Sequence, residues 1–253
     1  MKIQRLRVTF TRGNEMKYVT HLDMMRFWER ALRRAAVPVF YSEGFSPHPQ
    51  IALAAPLAVG TTSECELLDV FLEQRITPRA FIDALSPQLP PATTIVSAQE
   101  AGLTLPSLQA DIRAAEYEVD APVPDGCDVD AAVRRLFDAE SIPWEHKRDE
   151  EMKSYDLRPL VQEVEILRHA QPEAAAIPAS RAATQDVDAD AGAASVRLRM
   201  LLSNDSTNGA GRPEQVALAL GLALPTRIHR TRLVLADRSP ARDAIRKQGR
   251  YAV

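Results

Sequence analysis

Apolar and polar residues alternate in several short stretches of the chain, with helical periodicity between them. Residues 3–10 alternate as a half-buried strand does, apart from Gln4. Thr20 is typical of a helix N-cap with Asp23 three residues on, and the amphipathic pattern that follows ends before Pro38, which cannot continue a helix. The N-terminus is therefore predicted to form a strand followed by a long helix.

The rest of the first hundred residues completes an alternating order of strands and helices. Further strands are predicted at residues 39–41 together with 51–55, at 65–72 and at 93–98, and a helix at 77–85. When residues 39–55 are counted as one interrupted strand, the order is βαββαβ. This order predicts an α+β, ferredoxin-like fold, in which two helices cover a four-stranded antiparallel sheet.

A similar succession recurs in the second half of the chain. Strand-like segments are residues 117–121, 142–148, 160–167, 195–203 and 228–235, of which the second and third are expected to pair. Helical segments are residues 129–139 and 213–220. We therefore predict two ferredoxin-like units in tandem, residues 1–108 and 114–237.

Two segments lack the pattern of a folded element. Residues 171–193 contain nine alanines among 23 positions and no periodic large apolar residue, which predicts a disordered insertion in the second unit. Residues 238–253 are basic and are predicted to form a loose tail.

Composition narrows the class of protein. The 253 residues are 45% hydrophobic and 26% charged, as in ordinary globular proteins. Neither a membrane-spanning stretch nor a signal-peptide core is evident, so we expect a cytoplasmic protein. The two cysteines are far apart, which makes a disulfide framework or a zinc site improbable, and without a CxxxCxxC motif the chain is not expected to hold an iron–sulfur cluster.

A metal site built from carboxylates is not predicted either. Glu64, Glu66 and Asp69 are close in sequence, but alternation along a strand places Asp69 on the opposite face from the other two. No further ligand stands at a suitable spacing. We therefore predict no metal and no cofactor.

Positive charge is concentrated near the N-terminus, although the whole chain carries a net charge of −3. At 100° per residue, the predicted first helix places one sector in the core and the opposite sector in solvent. The core sector contains His21, Met25, Trp28, Leu32 and Ala35. The opposite sector contains Arg26, Arg30, Arg33 and Arg34. These arginines suit the phosphates of a nucleic acid, an acidic protein face, or a plain solvated surface.

The segment VFYSEGFSPHPQ, residues 39–50, has a strongly constrained backbone. Gly44 permits a positive φ, and Pro47 and Pro49 fix their own φ and favour extended residues before them. His48 is therefore expected to be held in place. Tyr41 and Phe45 are candidates for stacking on unpaired bases; alternatively, Phe45 fills the core and the loop is only a stiff turn.

Several motifs resemble a known family. They are THLD at residues 20–23, ERALRR at 29–34, YSEGFSPHP at 41–49, PLAVGTTSE at 56–64 and, more weakly, YDLRPLV at 155–161 and GRPEQV at 211–216. These motifs are similar to those of the radical SAM-linked proteins, a family of uncharacterised proteins (DUF2344). The resemblance implies a ferredoxin-like fold and a radical SAM protein as partner, but no reaction.

Two further arginines are candidate anion ligands. Arg158 precedes a proline and is expected to be extended, and Arg212 lies before a helix that begins with proline. Catalysis is a weaker alternative. His21, His48 and Tyr41 offer the residue types of a metal-independent ribonuclease, although His21 is expected to be a core residue.

The leading hypothesis is a noncatalytic RNA-binding accessory protein that presents a tRNA or rRNA to a radical SAM enzyme. Its predicted RNA-binding residues are the four arginines of the helix, Tyr41, Phe45, His48, Arg158 and Arg212. The alternatives are an adaptor that binds the radical SAM protein without RNA, and an RNA-processing enzyme.

Overall fold

The computed structural model describes residues 1–148, 151–170, 194–205 and 209–236. The predicted insertion at 171–193 and the predicted tail at 238–253 lie outside the described residues. Within the described residues, the chain forms a mixed α/β structure. It has a nine-stranded sheet, a separate two-stranded sheet and several helices.

The first half of the sheet is formed by residues 4–101. Its elements in chain order are β1 (Gln4–Arg12), α1 (His21–Arg34), β2 (Ile51–Leu53), β3 (Thr62–Leu72), α2 (Pro78–Leu85) and β4 (Ile95–Ala101). β1 lies between β4 and β3, and β2 pairs with the C-terminal part of β3; all three pairings are antiparallel.

The second half is formed by residues 112–235, after the short helix α3 (Leu108–Asp111). Its elements are β5 (Ile112–Pro122), α4 (Val129–Asp138), β6 (Pro143–Arg148), β7 (Glu151–Asp156), β8 (Val161–Ala170), β9 (Ser195–Asp205), β10 (Gly209–Ala210), α5 (Pro213–Ala219) and β11 (Arg227–Leu235). β5 lies between β9 and β11, and β8 and β10 both pair with β9. β11 then pairs in parallel with the start of β3, which joins the two halves into one sheet.

One predicted pairing is wrong. Segments 142–148 and 160–167 were expected to pair with each other, but β6 pairs with β7 in a hairpin of its own and β8 pairs with β9. β7 follows β6 almost directly in the chain, and such short connections favour local antiparallel pairing.

Local sequence explains the limits of α1. The Thr20 hydroxyl accepts a hydrogen bond from the Asp23 amide at 3.2 Å, which satisfies one of the unpaired N–H groups of the first turn. After the helix, Ala36 has a positive φ of 51°, and Pro38 follows. These features confirm the predicted helix.

The buried face of α1 consists of Met24, Trp28, Ala31 and Leu32. Trp28 packs edge-on against Phe10 of β1, with ring centroids 4.7 Å apart. The prediction that His21 is a core residue is wrong, because His21 is exposed. It lies in the correct sector, but it is the first residue of the helix and borders a shallow groove at the edge of the core.

β1 was predicted to be half-buried, yet both of its faces are covered. Leu6, Val8 and Phe10 contribute to the core beneath α1 and α2. On the other face Arg5 and Arg7 are buried, because the segment after β4 crosses them and accepts hydrogen bonds from Arg5 through the carbonyls of residues 105 and 106. The hydrophobic pattern could not reveal this covering segment.

The second half has its own core. Leu198 and Met200 of β9, together with Val119 of β5, pack against Leu136 of α4 and Val216 of α5. Among the described residues, no helix has the length and apolar character needed to cross a membrane.

Candidate nucleic-acid interface and the pocket between the halves

The four arginines predicted to form a stripe on α1 are all exposed. Arg26 forms an exposed ion pair with Asp23 at 3.2 Å. Arg34 donates to the side-chain and main-chain oxygens of Gln88 at 3.2 and 2.8 Å. Arg30 and Arg33 form no hydrogen bond or ion pair through their side chains with any residue that the structure describes. Two neighbouring guanidinium groups on this face are therefore available to an outside ligand.

The N-terminal end of the same face carries apolar and aromatic side chains. Leu22 is 67% exposed and lies one turn before Arg26, and Tyr18, just before the helix, is 69% exposed. The Lys17 ammonium lies 5.2 Å from the centre of the Tyr18 ring. The exposed face of α1 thus combines cations with an aromatic ring, a combination typical of surfaces that bind single-stranded nucleic acid.

The loop of residues 41–49 forms a narrow projection after α1. The Ser42 amide donates to the His48 carbonyl at 2.9 Å, and the His48 amide donates to the Ser42 hydroxyl at 3.0 Å. Tyr41 forms an isolated antiparallel bridge with Pro49. His48 is therefore held through its backbone, while its side chain is exposed.

Phe45 occupies the tip of this loop and is fully exposed. The alternative in which Phe45 fills the core is therefore wrong. Gly44 precedes it with a φ of 125°, a value that turns the chain away from the protein and that other residues rarely adopt. Tyr41 at the base of the loop is partly exposed, so both predicted stacking residues are accessible.

The two candidate catalytic histidines lie at different places along the first half. His21 borders the groove that contains Glu66, whereas the residue next to the loop, Gln50, hydrogen-bonds with Phe71. Glu66 and Phe71 are five positions apart on β3, roughly 17 Å of extended strand. Among the described residues, no hydrogen bond joins His21, His48 and Tyr41 into a general acid–base pair.

Arg158 has a role within the fold. It was predicted to be extended, but it begins a 3-10 turn, Arg158–Leu160, and donates to the carbonyls of Val161 and Phe137 at 3.0 and 3.4 Å. Asp156 stabilises this turn by accepting the amides of Ile142 and Arg158 at 2.8 and 2.9 Å. These amide hydrogen bonds, that of Ile142 first, lower the pKa of Asp156.

Two of the motifs noted in the sequence, PLAVGTTSE and GRPEQV, meet at a pocket between the halves of the sheet. The pocket has a volume of about 420 Å³. It is lined by residues 56–58 and Thr61 from the first half, and by Tyr117, Asn204, residues 210–214 and Arg230 from the second. Arg212, a predicted anion ligand, lines its open side and is exposed. The sequence did not predict that the two motifs share a site.

Arg230 is the buried cation of this pocket and is 1% exposed. Its guanidinium donates to Glu66 at 2.9 Å and to the Tyr117 hydroxyl at 3.2 Å, and more weakly to the carbonyls of residues 55 and 56. Its Nε has no hydrogen-bond partner among the described residues. Burial disfavours the cation, but Glu66 and then Tyr117 outweigh that effect and raise the pKa of Arg230.

A second buried cation shares the same carboxylate. Arg12 is 3% exposed and donates to the carbonyls of residues 16, 17 and 19. Burial lowers the pKa of Arg12, Glu66 opposes that shift and Arg230 adds to it. Two buried guanidinium groups therefore lie near Glu66, and only that of Arg230 is paired with it.

Sequence reasoning missed Tyr117 and Arg230 as site residues. Both occupy alternating strands in which a polar residue is ordinarily read as facing solvent. The available signal was indirect: the PLAVG and GRPEQV motifs were noted, but only the fold brings them to these two strands.

The carboxylates considered for metal binding lie against other side chains. Glu66 pairs with Arg230, Asp69 accepts hydrogen bonds from Arg5 and Arg7, and the Glu64 carboxylate is 3.8 Å from the His229 ring. In the described part of the chain, no group of three or more His, Cys, Asp or Glu side chains is arranged to hold a metal ion.

Comparison with solved structures finds weak likenesses to chains of Cbf5–Nop10 complexes. In a crystal structure of a Cbf5–Nop10–Gar1 complex the match has a TM-score of 0.44 and 10% identity, and covers 92% of this chain and 49% of the other. For an archaeal box H/ACA Nop10–Cbf5 complex the TM-score is 0.40, with 13% identity over 92% and 49% of the two chains. The chain spans about half the length of these matched chains. The likenesses are too weak to support a functional inference.

Comparison with curated protein sequences gives no match. A protein family, by contrast, matches residues 5–208. The matched range includes α1, the loop of residues 41–49, and the pocket residues that come before the GRPEQV motif. The chain therefore belongs to the family described as uncharacterized protein conserved in bacteria, DUF2344.

Proposed function

We propose that the chain is a noncatalytic, cytoplasmic RNA-binding accessory protein. Its RNA-binding surface consists of the exposed face of α1 and the loop of residues 41–49. One observation carries the proposal: of the four exposed arginines on α1, only Arg26 pairs with a carboxylate among the described residues. Arg30 and Arg33 are left with uncompensated charge on neighbouring positions of one helix.

Like charges on one face of a helix raise the free energy of the folded protein. Cations three or four residues apart on a helix repel each other by a few tenths of a kcal/mol. The arginines of this face therefore do not stabilise the helix through their charges. Phosphate groups offset the repulsion, because each guanidinium can donate two hydrogen bonds to one phosphate and bound counterions are released. A helix of 14 residues is about 21 Å long, enough to follow several phosphates.

Aromatic side chains supply the second part of the surface. Phe45 is fully exposed at the tip of a loop whose base is held by hydrogen bonds, and Tyr18 is exposed at the start of α1. Exposure of a phenyl ring to water is unfavourable in free energy, and stacking on an unpaired base removes that apolar surface from water. We therefore expect a single-stranded or loop region of RNA as the ligand, as in tRNA or rRNA.

The fold supports this placement. We infer two ferredoxin-like units in tandem, residues 1–108 and 114–237, from the strand orders β4-β1-β3-β2 and β11-β5-β9-β8. Each order is that of a βαββαβ sheet when the β6–β7 hairpin is treated as an addition. In the first unit α1 then lies on the sheet with its arginines directed outward.

Electrophoretic retardation of labelled tRNA and rRNA fragments tests the RNA surface. We expect Arg30→Glu/Arg33→Glu to weaken binding at least about tenfold, because two phosphate contacts become repulsive. The matched control is Arg134→Glu/Arg135→Glu, which makes the same change of charge on the exposed side of α4. If both double variants bind RNA equally well while remaining folded, the proposed surface is wrong.

The proposed partner is a radical SAM protein, on the basis of the family resemblance. Exposed Leu22 and Val59 are apolar side chains that such a partner would cover. Copurification before and after nuclease treatment separates two roles. If the complex contains RNA, and the Arg30→Glu/Arg33→Glu variant forms the complex without RNA, the chain presents RNA to its partner. If the complex contains no RNA and survives nuclease treatment, the chain is an adaptor that contacts only protein.

A further inference from the structure

The pocket between the halves has the features of a ligand site separate from the face of α1. Its volume of about 420 Å³ falls within the range of small-molecule sites. Pro56, Leu57 and Pro213 give it an apolar wall, while Tyr117, Arg212 and Arg230 give it polar groups. We propose that this pocket binds a small organic anion, a molecule with an apolar or aromatic body that ends in a phosphate or carboxylate.

Positive charge is buried beneath the pocket. Arg230, which lines the pocket, is hydrogen-bonded to Glu66, and the buried Arg12 borders the neighbouring groove together with the same carboxylate. An excess buried cation is costly unless an anion or oriented dipoles compensate it. Main-chain carbonyls provide part of that compensation, but an anion in the pocket would add to it. Arg230 on the wall of the pocket therefore favours a negative ligand.

The second argument is the number of donors without acceptors. The Tyr117 hydroxyl accepts a hydrogen bond from Arg230, so its own proton remains to be donated, and it has no acceptor among the described residues. The Arg212 guanidinium is exposed at the pocket and forms no hydrogen bond or ion pair with the residues described, so water satisfies it and a ligand can replace that water. The Nε of Arg230 is buried and unpaired as well. Buried donors are ordinarily satisfied in proteins, and an oxyanion in the pocket could accept from the Tyr117 hydroxyl and from Arg212 together.

The third argument is the backbone of the GRPEQV motif. A Cβ atom on Gly211 would lie 3.0 Å from the carbonyl oxygen of residue 160 and 3.1 Å from the Leu202 side chain. A larger residue at position 211 would therefore have to push these neighbours apart by a few tenths of an ångström, next to Arg212 at the pocket. Glu214 also lines the pocket, and its carboxylate would repel a ligand that carries only negative charge. A ligand that combines an oxyanion with a hydroxyl or amino group would suit both charges.

Titration of isotope-labelled protein, followed through the amide signals of Gly211 and Arg212, tests the proposal. The probes are phenyl phosphate, benzoate and benzyl alcohol, which share a ring and differ in charge. We expect saturable signal changes with one or both anions and none with the alcohol; the anion that binds identifies the head group. The absence of saturation with both anions, or an equal response to the alcohol, overturns the proposal.

Variants locate the site. Arg212→Gln and Tyr117→Phe each remove donors while keeping side-chain bulk, and we expect each to weaken the bound anion about tenfold. Arg134→Gln on α4 is the control and should leave the affinity unchanged. Thermal unfolding checks that the variants are folded, and Arg212→Gln, at an exposed residue, keeps the test valid if Tyr117→Phe is unstable. Unchanged affinity in Arg212→Gln contradicts the site, whatever the outcome of the RNA experiments.

Discussion

Arg230 on β11 donates a hydrogen bond to Glu66 on β3 at 2.9 Å, and both side chains are almost completely buried. The two strands run in parallel, and within the described residues theirs is the only strand pairing that joins the two halves. This parallel pairing involves only His229 with Thr62 and Arg230 with Ser63. The buried ion pair therefore adds to a short region of backbone contact that joins the two halves.

Replacing Glu66 by Gln should destabilise the protein strongly. The substitution leaves Arg230 and Arg12 buried without a carboxylate, and the loss of one partner of a buried pair costs about 3–5 kcal/mol of the free energy of unfolding. Chemical denaturation measures the change. Arg79→Gln, which breaks the exposed pair of Arg79 with Asp83, is the control and should cost under about 0.5 kcal/mol. Equal effects of the two substitutions would contradict the assigned role of Glu66.

Gly211→Ala should destabilise the second half and narrow the pocket. The added methyl group would press on the carbonyl oxygen of residue 160 and on the Cβ atom of Leu202, neither of which a side-chain rotation can move, and we expect this to cost about 1–3 kcal/mol. Gly102→Ala is a suitable control, because its Cβ would meet only the Leu105 side chain, at 3.4 Å. Denaturation curves for both variants test this, and a neutral Gly211→Ala would show that the close packing is not required.

Cys65 should react slowly with alkylating reagents. Burial, partly opposed by a hydrogen bond with Ser63, raises the pKa of the Cys65 thiol to about 11. At pH 8 the thiolate fraction is then on the order of a hundredfold lower than in an ordinary cysteine. Iodoacetamide labelling in a Cys127→Ser background should be slow when the protein is folded and fast in urea. Rapid labelling of folded protein at pH 8 would refute this assignment.

The same thiol makes stability depend on pH at the alkaline end. The folded pKa lies above the unfolded value of 9.0, so the folded state holds its proton more tightly. The thiol's contribution to stability is complete below pH 9 and is lost as the pH rises toward 11. A Cys65→Ala variant should lack this part of the pH dependence.

Asp156 should affect stability in the opposite pH range. Hydrogen bonds from the amides of Ile142 and Arg158 lower its pKa below the ordinary 3.8. The carboxylate therefore contributes stability above about pH 4, which is lost as the pH falls through the lowered pKa. Unfolding midpoints of the natural protein and Asp156→Asn should differ at pH 6 and converge at low pH. A difference that does not depend on pH would contradict the role of the charge.

The sequence predicted best where local rules decide the outcome. The limits of α1 follow from Thr20 and Pro38, and periodicity identified most of the strands that pair in the sheet. The covering of Arg5 and Arg7 could not be predicted, because it depends on a segment about a hundred residues away. For the same reason His21 was placed in the core, since a helical sector does not show where the sheet beneath it ends.

For the candidate site too, the sequence predicted what depends on nearby residues and missed what depends on residues far apart in the chain. Exposure of Arg30 and Arg33 followed from helix periodicity, and exposure of Phe45 from the glycine and prolines around it. The pocket could not be predicted, because Arg230 lies 164 residues from Glu66 and only the pairing of β11 with β3 brings them together.

The salt dependence of RNA affinity tests the central claim most directly. If Arg30 and Arg33 each neutralise a phosphate, the slope of log affinity against log salt, measured between about 50 and 200 mM, should become shallower by roughly 1.5 to 2 in Arg30→Gln/Arg33→Gln. Arg134→Gln/Arg135→Gln should leave the slope unchanged. A slope that is the same for the natural protein and both variants would contradict the proposal that the face of α1 binds RNA.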